Sequence, residues 1–255
     1  MNSAISLHER LISIVTPLLL LVLWELFGRV GWIDARFFPP PSAIFDTLMR
    51  LLRSGELAAN VFVSLQRLFW GFLVGGIPAI ILGICMGLWR PVRLAIEPLV
   101  SATYPLPKSA ILPLVLLIFG LGESSKIVMV ALGVFYPIVI NTTSGVLQIP
   151  TIYLDVGKNF KASPWKVFRT IALPGAMPSI FAGVKLGVGL GLILIAIAEM
   201  VGAQSGIGYM IWNAWQILSI ETMYVGLLTI ALIGFVLSLI LDEIEAIVLP
   251  TRRSR

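Results

Sequence analysis

Residues 179–201 read SIFAGVKLGVGLGLILIAIAEMV, and residues 224–248 read YVGLLTIALIGFVLSLILDEIEAIV. Both are continuous apolar runs, and each reaches the roughly 20 residues that a helix needs to cross a bilayer core. In hydrocarbon each backbone amide must find its partner inside the segment, which leaves helices or a closed barrel. A barrel would show shorter, alternating stretches, so these runs read as helices.

Further apolar runs lie outward from this pair, from Leu11 to Phe27, Val61 to Leu88, Leu94 to Phe119 and Ser125 to Leu147. The predicted fold class is therefore an all-α membrane protein with six transmembrane helices in one domain covering residues 1–255. Composition agrees. Of the 255 residues 58% are hydrophobic and 12% charged, whereas soluble domains carry about 25% charged residues. Trp24 and Glu25 occupy the place of a small-residue cleavage site, so the first run reads as a retained helix rather than a signal peptide.

The third run differs from the others. Pro98, Pro105, Pro107 and Pro113 interrupt it, and each proline removes an amide donor. Broken backbone at membrane depth belongs inside protein or along a wet cavity. Between the first two runs, Ala43 to Leu57 is amphipathic, with Ile44, Leu48, Leu51 and Leu52 on one face, and reads as a surface helix capped by Ser42.

Lys and Arg near the span ends set orientation. Arg10, Arg90, Arg93, Lys158, Lys161, Lys166, Arg169, Arg252, Arg253 and Arg255 fall on one side; Arg29, Arg36, Arg50, Arg53 and Lys126 fall on the other. This bias predicts a multi-pass protein with both termini and the polar loop of about 149–178 in the cytoplasm. Dispersed charge of this kind also argues against nucleic acid as a partner.

Several chemistries are missing from the sequence. There is no phosphate loop for ATP, no His/Cys cluster for a metal, with His8 the only histidine, and no nucleophile–base–orienter set. Cys85 stands alone and cannot form an intrachain disulfide. The chain reads as a transport protein rather than an enzyme. It needs no cofactor of its own, and energy for uphill transport has to come from a partner or from an ion gradient.

The polar loop carries the densest pattern, from Asp155-Val156-Gly157 through Lys161-Ala162-Ser163-Pro164-Trp165-Lys166-Val167-Phe168 to Ile171-Ala172-Leu173-Pro174. It predicts two short helices around a tight corner. Ser163 is a natural N-cap and Pro164 suits the first helical position. Trp165, Phe168 and Ala172 then share a face, and Lys166 and Arg169 point away. Leu173-Pro174 is expected to close this helix before the fifth span.

The stretch resembles the coupling loop of ABC importer permeases, E-A-A-x3-G-x9-I-x-L-P. Asp155 falls on the acidic position, Val156 and Gly157 on the alanines, and Lys161 on the glycine; Ile171, Leu173 and Pro174 match. Lysine takes a left-handed backbone less cheaply than glycine. The expectation is either a right-handed corner or flexibility supplied by Gly157. Pro105-Leu106-Pro107-Lys108, Leu112-Pro113-Leu114, Phe119-Gly120-Leu121-Gly122-Glu123, Ala198-Glu199 and Gly206-Ile207-Gly208-Tyr209-Met210-Ile211-Trp212 resemble the branch that imports nitrate, sulfonates, taurine and bicarbonate.

The resemblance implies a type I importer permease in the bacterial inner membrane. It would form a homodimer bound to two ATPase subunits, which hold the ATP and Mg, and would be fed by a periplasmic or lipid-anchored solute-binding protein. It also implies an anion as solute. An ion-coupled secondary transporter is the alternative, although such carriers usually show inverted repeats.

Candidate pathway residues are Lys108, Asn141, Gly187 and Glu199. Lys108 either attracts an anionic solute or snorkels to the cytoplasmic interface, with snorkelling the expectation. Glu199 is either functional, as intramembrane carboxylates often are, or an interfacial cap or ion-pair partner. Asn141 is expected to pack, and Gly183, Gly187, Gly189 and Gly191 to allow close helix approach or form a smooth cavity wall.

Overall fold

The structure is a computed structural model that describes residues 7–249, all of them in helices and connecting turns. Arg252, Arg253 and Arg255 lie outside the described residues. The chain begins with α1 (Leu7–Val30), followed by the amphipathic α2 (Pro41–Arg53). Next come α3 (Glu56–Leu88), α4 (Arg90–Thr103), a 3-10 turn at Lys108–Ile111 and α5 (Leu112–Phe119). The second half holds α6 (Glu123–Leu147), α7 (Thr151–Asn159), α8 (Pro164–Val167), α9 (Leu173–Met200), α10 (Ile207–Gln216) and α11 (Ile220–Val248).

Four described stretches are long and apolar enough to cross a membrane: α3, α6, the continuous rod 164–200 and α11. The predicted third span is α4 and α5, which meet at an 88° bend and make a fifth crossing if taken as one broken span. Pro105 and Pro107 lie at the break, where their missing amides end α4.

The core is a three-helix layer with α6 in the middle. Small residues recur every fourth position along α3, at Gly71, Gly75, Ala79, Gly83 and Gly87, and this stripe faces α6. The two backbones come closest at Gly75, where a β-carbon would fall 2.4 Å from the Ala131 carbonyl oxygen and 2.7 Å from its Cα. On the other side, Gly183, Gly187 and Gly191 of α9 turn to α6, and a β-carbon on Gly187 would sit 3.2 Å from the Val134 carbonyl oxygen. With lipid outside, such packing draws on close backbone approach rather than on a hydrophobic drive between helices. Val130, Val134, Ile138 and Val139 of α6 are completely buried between the two neighbours.

The α2 helix packs Ile44 and Leu51 against Ile207, Met210, Ile211 and Val225. Its cap differs from expectation. Pro40 holds the N-cap position and Pro41 opens the helix, so Ser42 lies within the first turn. The Ser42 amide and hydroxyl instead donate to the Glu25 carboxylate of α1, at 3.0 and 2.8 Å. A carboxylate complements the positive end of a helix better than a hydroxyl does.

Candidate functional site

The projection between α6 and α9 is built from α7, a four-residue corner and α8. At the corner the Ala162 amide donates to the Gly157 carbonyl at 2.9 Å, and Lys161 adopts φ +48°. The corner is left-handed, against both expectations. Gly157 stays helical and supplies space rather than flexibility, since a β-carbon there would meet Ile171 and Val167 at 3.3 and 3.4 Å. Lysine thus carries a conformation that glycine takes without penalty.

Ser163 caps α8 as its sequence predicts. Its backbone is extended, its side chain accepts the Lys166 amide at 3.3 Å, and Pro164 opens the helix. The Trp165 and Phe168 rings stack at 5.3 Å with 10° between planes.

The projection does not close at Leu173-Pro174. Residues Phe168–Ala172 form a π-helical turn in which the Leu173 amide reaches back to the Phe168 carbonyl, and the chain runs straight on into α9. The wider turn resets the hydrogen-bond register, so Pro174 falls in the first turn of a new α-helix, where its missing amide is not needed.

The outer face of this projection is apolar yet exposed. Phe160 is 83% accessible and Trp165 66%, with Ile152, Tyr153 and Val156 also open. Asp155, Lys161, Ser163, Lys166 and Pro174 are exposed around them, while Ala162, Phe168 and Leu173 are half-buried. Large apolar side chains are thus left open to the surroundings on a short, capped helical pair.

The four pathway candidates are not brought together. Gly187 is buried in the α6–α9 contact. Asn141 returns its amide to the Pro137 carbonyl of its own helix at 2.7 Å. Lys108 turns back onto its own segment. Its Nζ donates to the carbonyls of Thr103, Tyr104 and Leu106, each at 2.9 Å, and lies 4.1 Å from the Tyr136 ring centroid. The Thr103 and Tyr104 carbonyls stand at the C-terminal end of α4, where a cation also meets the negative pole of the helix.

Glu199 takes the ion-pair role. It is 1% exposed near the end of α9, accepting from the Arg67 Nη1 at 2.8 Å, from the Ser64 hydroxyl at 2.8 Å and from the Gly208 amide at 2.9 Å. Arg67 was not singled out from sequence. Its Nε and Nη2 also grip Glu123 of α6 in a fork, both at 2.6 Å, and its Nη1 donates to the Ser205 carbonyl at 2.7 Å. Lys126, also 1% exposed, donates to the Leu121 and Gly202 carbonyls. Two cations and two carboxylates thus join α3, α6, α9 and the start of α10 at the end of the bundle opposite the α7–α8 projection. The signal for Arg67 was its place inside an apolar run, because such a charge needs a partner and Glu199 was on offer.

Comparison with known proteins completes the picture. Residues 79–254 match the family described as binding-protein-dependent transport system inner membrane component. This chain belongs to that family. The permease is 34% identical over 218 residues to SsuC of Escherichia coli K12, whose name refers to aliphatic sulfonates transport; the match covers 86% of the chain and 83% of SsuC. It is 30% identical over 244 residues to the taurine transport system permease protein TauC of the same organism, covering 94% and 89% of the two chains. The nitrate import permease protein NrtB of Synechocystis is 32% identical over 197 residues, covering 77% and 72%. The permease is an ABC importer subunit of the nitrate, sulfonate and taurine branch, a multi-pass inner-membrane protein rather than an enzyme.

Proposed function

We propose that two copies of the permease line the translocation path of an importer for a small organic or inorganic anion, such as a sulfonate, taurine, nitrate or bicarbonate. Two ATPase subunits, holding ATP and Mg, drive it from the cytoplasm, and a periplasmic or lipid-anchored binding protein delivers the solute. The observation that carries this reading is the exposed apolar pair of Phe160, at the corner, and Trp165, on a rod that continues into α9. A groove on the ATPase takes this patch, Lys161 and Lys166 meet its acidic rim, and motion at the patch passes along the rod.

In this reading α1, α3, the bent α4–α5 pair, α6, α9 and α11 are six spans, with both termini in the cytoplasm. The excess of Arg and Lys flanking the α7–α8 end of the bundle supports that orientation. The names of SsuC, TauC and NrtB support an anion as solute.

Sidedness tests the proposal. In a Cys85→Ser background, a cysteine at Phe160 is expected to react with an impermeant thiol reagent only from the cytoplasmic face, and to be shielded when the ATPase is bound. Reaction from the outer face alone would overturn it.

A further inference from the structure

Three basic side chains that face into the bundle, Arg67, Lys126 and Lys185, have carboxylates at hand. Arg67 holds Glu123 and Glu199, Lys126 lies in the field of the same two, and Lys185 bridges Asp242 and Glu245. Lys108 is different: among the described residues no carboxylate lies within ion-pair distance of it. Its ammonium is held by three backbone carbonyls and an aromatic face, which fix its position without cancelling its charge. A fixed charge without a counter-ion at membrane depth is costly and marks a functional position.

The bend places this charge at mid-bundle. Tyr136 lies thirteen residues into α6, roughly 20 Å from Glu123 along the helix axis. Lys108 borders a cavity of about 270 Å³ with Tyr104, Ser109, Gly133, Tyr136 and Leu190. Tyr104 also borders a second cavity of about 300 Å³, with Glu97, Ser101, Thr143 and Ser144. Glu97, Ser101 and Tyr104 are spaced to share one face of α4, and the cavities follow the α4–α6 cleft toward the α7–α8 end. A third cavity, of about 420 Å³, lies at the root of the projection beside Gln148, Thr170 and Ser179.

We propose that Lys108, with Tyr104, Ser109 and Tyr136, forms an anion subsite halfway along the path, taking an oxyanion group the size of a sulfonate or nitrate. The Tyr and Ser hydroxyls are hydrogen-bond donors suited to the oxygens, and the Lys108 charge supplies the attraction. Below it the α4–α6 cleft, past Ser101 and Ser144, is the exit. Glu97 repels an anion there, so the solute moves on rather than staying bound. This inference rests on the uptake reading above.

The test uses the permease with its ATPase subunits in proteoliposomes, in the Cys85→Ser background with Ser101→Cys added. The rate of modification by the anionic sulfonatoethyl methanethiosulfonate is divided by the rate for the cationic aminoethyl reagent. Lys108→Gln is expected to lower that ratio about tenfold, and Lys108→Arg to keep it. Ethanesulfonate is expected to slow modification whenever residue 108 is charged. An unchanged ratio in Lys108→Gln, an unreactive Ser101→Cys, or no protection by ethanesulfonate with Lys108 in place would each overturn the subsite. If Lys108→Gln does not fold, the protection measurement on the lysine-containing protein decides alone. Should the unaltered permease copurify no ATPase, the proposed function fails; with ATPase bound and the ratio unchanged, only the subsite fails.

Discussion

The Arg67 guanidinium of α3 donates to the Glu199 carboxylate of α9 at 2.8 Å, with both side chains almost wholly buried. This pair and its neighbours tie the end of the three-helix layer that lies farthest from the α7–α8 projection. The arrangement leaves one end of the α9 rod anchored and the other ending in the exposed α8 helix.

Removing one member of a buried pair costs up to about 3–5 kcal/mol, and Glu199→Ala leaves the buried Arg67 with only the largely exposed Glu123 as its carboxylate partner. Glu199→Ala is therefore expected to lower the thermal midpoint in detergent sharply. The double variant Arg67→Met with Glu199→Leu should recover part of that loss, since the one carboxylate it leaves unpaired, Glu123, is largely exposed to solvent. A double variant less stable than Glu199→Ala would contradict the pairing as drawn.

Lys161 carries φ +48° at the corner of the projection. Lys161→Gly relieves a left-handed penalty of about 1–2 kcal/mol, less the entropy that glycine returns to the unfolded chain, leaving a net gain of about 0.5–1 kcal/mol. Hydrogen exchange at the amides of residues 157–163 should slow severalfold. Faster exchange in the variant would mean that the corner is not left-handed.

Glycines in the bundle are expected to separate by position. Gly75→Ala puts a methyl into the Ala131 backbone and should cost about 1–3 kcal/mol as α3 and α6 are forced apart. Gly189→Ala meets open space within its helix and should stabilise by about 0.5–1 kcal/mol. Thermal unfolding of the two variants in one detergent checks the sign of each.

Much of this was legible in the sequence. Apolar run length gave the helices, the cluster of prolines gave the broken α4–α5 pair, and Ser163-Pro164 gave the start of α8. The small-residue stripe of α3 is equally readable, at every fourth position from Gly71 to Gly87. Other features depend on long-range contacts that local pattern does not hold. Glu25 satisfies the start of α2 from seventeen residues away, and Arg67 meets a partner 132 positions along the chain. Pro174 looked like a stop because the π turn before it is a register shift, which residue type alone does not announce.

The central claim is that the exposed Phe160 and Trp165 patch seats the permease on an ATPase. The most direct measurement is ATPase retention and solute-stimulated ATP hydrolysis by purified complexes carrying Trp165→Asp. A charge at a site 66% exposed in the isolated chain should leave the fold intact while weakening ATPase binding at least tenfold and abolishing stimulation. Full retention of the ATPase with unchanged stimulated hydrolysis would contradict the account.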